Sequence, residues 1–195
     1  MKIPQLLILP VVLMATVSCT TITAETDTQA KIKQGVPGGE VVKTSRINAT
    51  VTAIDTARRK VSLVTRKGEK FAVTAGPEVE NFNRIRIGDQ LNVTYTEEVV
   101  VRMAKPGEKI EDGGEAVFDI APKNSKPGVM TSETYQVTAT VTTIDQKKRK
   151  ATLQFPDGST KKFDVRKDVD LTRHKVGEKV VIRTTETFAI KMEKP

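Results

Sequence analysis

Most of this chain is written twice, and that restricts its fold more than any other feature. Residues 49–55, Ala-Thr-Val-Thr-Ala-Ile-Asp, return at 139–145 as Ala-Thr-Val-Thr-Thr-Ile-Asp. The echo starts at Pro37-Gly38 against Pro127-Gly128 and passes through Arg58-Arg59-Lys60 against Lys148-Arg149-Lys150. It continues with Phe71-Ala-Val73 against Phe163-Asp-Val165 and Ile87-Gly88-Asp89 against Val176-Gly177-Glu178. Met103-Ala-Lys-Pro106 against Met192-Glu-Lys-Pro195 closes it. Two copies of about sixty residues suit two packed domains, whereas a solenoid needs three or more short units.

Within a copy the pattern is that of strands. Ile47, Ala49, Val51 and Ala53 alternate with Asn48, Thr50 and Thr52, the period of a half-buried strand built from β-formers. Val61 and Leu63 start a second strand, and Phe71 and Val73 a short third one. Gly76 to Asn83 breaks the alternation and suits a helical turn with Val79 and Phe82 facing inward. Leu91, Val93 and Tyr95 read as a fourth strand and Val99, Val101 and Met103 as a fifth. The second copy repeats this order. Five short strands with their irregular link between the third and fourth is the order of an OB-like barrel. The expected fold class is therefore all-β, two tandem five-stranded OB-like β-barrels. A sixty-residue unit buries only about 60% of its extended-chain surface, so the copies are expected to dock.

The expected boundaries are a signal peptide at 1–18, a flexible tether at 19–44, and barrels at 45–106 and 133–195 with a linker at 107–132. The linker holds three basic against five acidic residues, and its Val117, Phe118 and Ile120 read as an apolar patch packed on a barrel. The N-terminus carries Lys2 and then an apolar run, Leu6 to Met14, interrupted by Pro10. That run is too short to span a bilayer core of about 30 Å and fits a secretory signal. It ends at Thr16-Val17-Ser18-Cys19, which resembles the lipobox of bacterial lipoproteins, and Cys19 is the only cysteine. The resemblance implies a diacylglycerol on the Cys19 thiol, a membrane held through that lipid, and a periplasmic protein. Thr20 rather than Asp after the cysteine is similar to the signal for outer-membrane sorting, hence the inner leaflet of the outer membrane.

The catalytic inventory is thin. A single histidine, His174, and no tryptophan leave no Ser-His-Asp or Cys-His set within the chain. Metal-spaced clusters and phosphate-cradling glycine loops are absent from the sequence as well. Asp55 and Asp145 recur at strand ends, where aspartate caps turns. No cofactor, no metal and no enzyme activity are expected. The soft ligands of a metal carrier would be Met103, Met130, Met192 and His174, spread over different elements.

The formal charge is +8, and its densest clusters fall on the same turn of each copy: Arg58, Arg59, Lys60 and Lys147, Lys148, Arg149, Lys150. These seven are the candidate contacts with an anionic surface, such as phospholipid or lipopolysaccharide headgroups. Nucleic acid is not expected. Single-strand binding needs exposed aromatic platforms, and Phe71, Tyr95, Phe155, Phe163 and Phe188 share the phase of the apolar core.

The recurring A-T-V-x-x-I-D, basic turn, x-V-x-L, F-x-V and [IV]-G-[DE] resembles a group of proteobacterial secreted proteins and lipoproteins with tandem OB-like repeats. That group carries no established activity. The unit is more distantly similar to small periplasmic barrels that bind copper, but their His, Met and Trp site has no counterpart here. The expected function is a non-enzymatic lipoprotein, a periplasmic binding or adaptor module for a headgroup or an envelope protein. The alternatives are a periplasmic metal-handling carrier and, with least support, an envelope enzyme.

Overall fold

Bulges at the same place in both copies set the shape of the sheet. Strand β2 (Gly38–Asp55) pairs with β3 (Lys60–Thr65) through a register shift between Val51 and Ala53. Strand β7 (Gly128–Asp145) pairs with β8 (Lys150–Gln154) through the same shift between Val141 and Thr143. The extra residue, Thr52 or Thr142, spends its hydroxyl on a carbonyl of the partner strand. A bulge bends its strand and raises the local twist, so each sheet end curls over its own core. Strands β4 (Lys70–Thr74) and β9 (Thr160–Asp164) complete the curled ends.

The computed structural model describes residues 22–195. It is all-β among the described residues, apart from one-turn 3-10 helices at Phe82–Arg84 and Leu171–Arg173. Strands β5 (Gln90–Met103) and β10 (Lys179–Glu193) join the halves. The main path is β4-β3-β2-β5-β10-β7-β8-β9, an antiparallel sheet that does not close. Strands β1 (Glu25–Lys31) and β6 (Gly113–Ile120) lie off that path on β2 and β7.

This differs from two self-contained barrels. The expected fourth and fifth strands are one continuous strand, β5, and its second half pairs with the start of β10. The repeat offset here is 89 residues, Met103 to Met192, and the cross-strand partners Glu97 and Glu186 are also 89 apart (186 − 97). A pseudo-two-fold axis therefore passes between them. Across it the halves trade their last strand segments. Met192 and Ile190 pack in the first core with Val51, Leu63, Phe82 and Leu91. Val101 and Met103 pack in the second with Ala139, Val141, Leu153 and Val180.

The strand turns are traded too. Arg166 of the second copy donates to the carbonyls of Lys33, Val36 and Gly38, and Asp168 accepts the Gly35 N–H. In the reverse direction Lys126 binds the carbonyl of Arg84 and the carboxylate of Asp89, which is 1% exposed. Gly38 sits at φ +88, and a Cβ there would lie 2.0 Å from the Val101 carbonyl oxygen, so only glycine fits.

The expected flexible tether thus holds β1 and the start of β2, and the expected linker holds β6 and the start of β7. Val117, Phe118 and Ile120 are not packed on a barrel, since β6 is exposed along its whole length.

Candidate functional site

The basic turns divide into structural and solvated cations. Each follows an aspartate whose side chain accepts a backbone N–H three residues on, Asp55 from Arg58 and Asp145 from Lys148. Hydrogen bonds from Arg58 hold the Asp55 carboxyl below its ordinary value. The loops then need a left-handed residue, supplied by Arg59 at φ +50 and Arg149 at φ +52. That conformation turns the side chain back over the sheet end. Arg59 donates to the carbonyls of Ala75, Gly76 and Val79 and lies 4.9 Å above the Phe82 ring. Arg149 donates to the carbonyls of Arg166 and Val169. These two candidates thus clamp the link over each core. Arg58 pairs with Asp55 and Lys150 with Asp164 at exposed sites. Lys147 and Lys148 stand in solvent, with Lys60 half-buried.

The soft metal ligands are not brought together. Met103 and Met192 belong to opposite cores, and Met130 lies exposed on β7. The His174 Nδ1 is 2.9 Å from a Glu178 carboxylate oxygen, within its own link. Among the described residues no group of three or more His, Cys, Asp or Glu is placed to hold a metal ion. Cys19 and the signal segment lie outside the described residues.

A different surface emerges from the register. Side chains alternate between sheet faces, so residues paired across strands share a face. Leu91 and Val93 point into the first core and Val101 and Met103 into the second, so both cores lie on one face of β5. Between them, still on that face, run three rows across β2, β5, β10, β7 and β6. The first is Ser45, Tyr95, Phe188, Thr131 and Phe118; the second is Lys43, Glu97, Glu186, Glu133 and Ala116. Val41, Val99, Thr184, Tyr135 and Gly114 form the third. Phe118 and Tyr135 are 59% and 57% exposed, and Phe188, Val41 and Val99 are exposed as well. Tyr95 and Phe188 have the phase of the core, as the alternation implies, but they fall between the cores rather than inside one.

The middle row sets three carboxylates side by side, with Lys43 paired only to Glu97 at 3.2 Å. Like charges directly opposite one another destabilise a sheet, and among the described residues Glu97 alone of the three has an ion-pair partner. Tyr95 donates its hydroxyl to Glu186 at 3.1 Å. Burial, then that contact, pushes the hydroxyl up to about 12, so it stays a proton donor at neutral pH. The opposite face is a lattice of hydroxyls satisfying one another, Thr96 to Thr44, Thr187 to Ser132 and Thr185 to Thr134.

Among the described residues this face brings exposed apolar side chains together with a row of carboxylates. The sequence did not single out this face, because its signal, apolar residues in phase with core residues, also describes a core. No family model matches this chain, and no curated protein or solved structure is significantly similar to it.

Proposed function

We propose that this protein is a non-enzymatic binding or adaptor module of the bacterial cell envelope, held to a membrane by a lipid on Cys19. The observation that carries the binding role is the exposed apolar face between the two cores, with Phe118, Tyr135 and Phe188 around a row of carboxylates. Exposed apolar patches of this kind mark interaction surfaces more often than they tolerate water. On this reading each curled end is an opened relative of an OB-like barrel, and the periplasm is where it works. Arg58, Lys60, Lys147, Lys148 and Lys150 are the remaining cations for an anionic headgroup, because Arg59 and Arg149 are committed to carbonyls.

Two measurements test it. The wild type should take up labelled palmitate and sediment with membranes, and Cys19→Ser should release it to the soluble periplasmic fraction. A photo-crosslinking side chain at Tyr135 should give a discrete adduct in cells, while one at Arg183, exposed on the opposite face, should give none. Absence of label removes the anchor. Equal patterns from both faces remove the binding face.

A further inference from the structure

Strands β1 and β6 are equivalent edges of the two halves, yet they are built differently. β1 reads Glu-Thr-Asp-Thr-Gln-Ala-Lys, and its Lys31 pairs with Glu40 across the strand. Charges and the lack of any large apolar residue blunt such an edge against pairing. β6 reads Gly-Gly-Glu-Ala-Val-Phe-Asp-Ile, with no lysine or proline, and every residue is exposed.

The phase of its hydrogen bonds is fixed at its end. Ala121 donates its N–H to the Gly128 carbonyl, so the odd-numbered residues of β6 bond to β7. In an antiparallel pair the intervening residues then turn their N–H and C=O away. Gly114, Ala116, Phe118 and Ile120 therefore present unpaired backbone groups to solvent. The same residues put their side chains on the apolar face, beside Tyr135 and Phe188, while Glu115 and Asp119 lie on the other, with the exposed Val117 between them. Among the described residues neither of these carboxylates has an ion-pair partner.

We infer that β6 accepts an extended segment of a partner protein as an added strand, and that this segment alternates apolar and basic residues. The backbone edge supplies the hydrogen bonds, and the two faces of β6 supply the pattern. Side chains opposite Ala116, Phe118 and Ile120 must be apolar to extend that face. Those opposite Glu115 and Asp119, four residues apart, are basic. The inference rests on the binding role proposed above and names its partner's chemistry.

The test uses the chain from residue 22 onward and a capped synthetic peptide of alternating valine and lysine, with binding read by calorimetry. Alternating valine and glutamate, and a non-alternating peptide of the first composition, serve as comparators. The Val-Lys peptide should bind at least tenfold more tightly than either. Ala116→Pro removes an outward N–H and leaves the β7 bonds intact, so it should weaken binding at least tenfold with unchanged circular dichroism. Glu115→Lys with Asp119→Lys should reverse the preference toward the Val-Glu peptide. Equal binding of all three peptides, or no effect of Ala116→Pro, overturns the inference. So does a dimer in sedimentation velocity that Ala116→Pro dissolves, since a second copy would then be the occupant. If the Tyr135 adduct forms while Ala116→Pro changes nothing, the edge is wrong and the binding face stands.

Discussion

Arg59 and Arg149 show how one residue in a charged run can differ from its neighbours. A left-handed conformation costs a non-glycine residue about 1–2 kcal/mol. Here it aims a guanidinium at carbonyls 16 to 20 residues away, which ties the link between strands to the hairpin turn. Arg59→Gln should therefore destabilise the protein by about 1–3 kcal/mol, the loss of part-buried hydrogen bonds from a charged donor. Arg58→Gln, whose pair with Asp55 is exposed, should fall within about 0.5 kcal/mol. Urea denaturation of both variants separates the roles, and equal midpoints would return Arg59 to the solvated surface. Composition and spacing give the three residues of that cluster one character. Only the turn geometry distinguishes them.

At the scale of elements, the continuity of β5 was partly legible. Leu91, Val93, Tyr95, Val99, Val101 and Met103 keep one phase, and no Gly, Pro or Asp interrupts them. The charged pair Glu97-Glu98 falls in the gap between the expected fourth and fifth strands, though it lies in mid-strand. Where β5 ends, Arg102 forks onto Glu108, with Nη–O distances of 2.6 and 2.8 Å, and Glu108 also accepts the Lys105 N–H. The Arg102 bonds, then that N–H, hold the Glu108 carboxyl at about 2, below its ordinary 4.5. A depressed carboxylate favours the folded state above its unfolded value, so this contribution is present above pH 4.5 and is lost as pH falls toward 2. Arg102→Gln should raise the Glu108 titration midpoint toward 4.5, as read by carboxyl-carbon NMR, and flatten stability loss over that window. A midpoint that stays near 2 would place the cause elsewhere.

Across the whole molecule, the exchange of strand ends makes the halves interdependent. The first core lacks Ile190 and Met192 without the second copy, and the second lacks Val101 and Met103 without the first. Residues 22–106 expressed alone should be unfolded, or should dimerise with β5 pairing on itself at Glu97, the contact that β10 now supplies. A monomeric fragment with a cooperative unfolding transition would show that each copy closes unaided. Urea melts at several concentrations, with sedimentation, decide between these outcomes.

The sequence by itself determined the duplication, the all-β class, the strands around Ala49, Leu63, Val73 and their counterparts, and the turn that buries Phe82, because these depend on short-range periodicity. It also placed the aspartates at the hairpin loops, where a side chain reaches only its own turn. Tertiary structure alone decided which copy each strand end serves, since Met103 and Met192 have the same local pattern in either core. It decided as well that Phe118, Tyr135 and Phe188 stay in water. Alternation fixes the face on which a side chain lies, but whether that face is covered depends on chain segments far away in sequence.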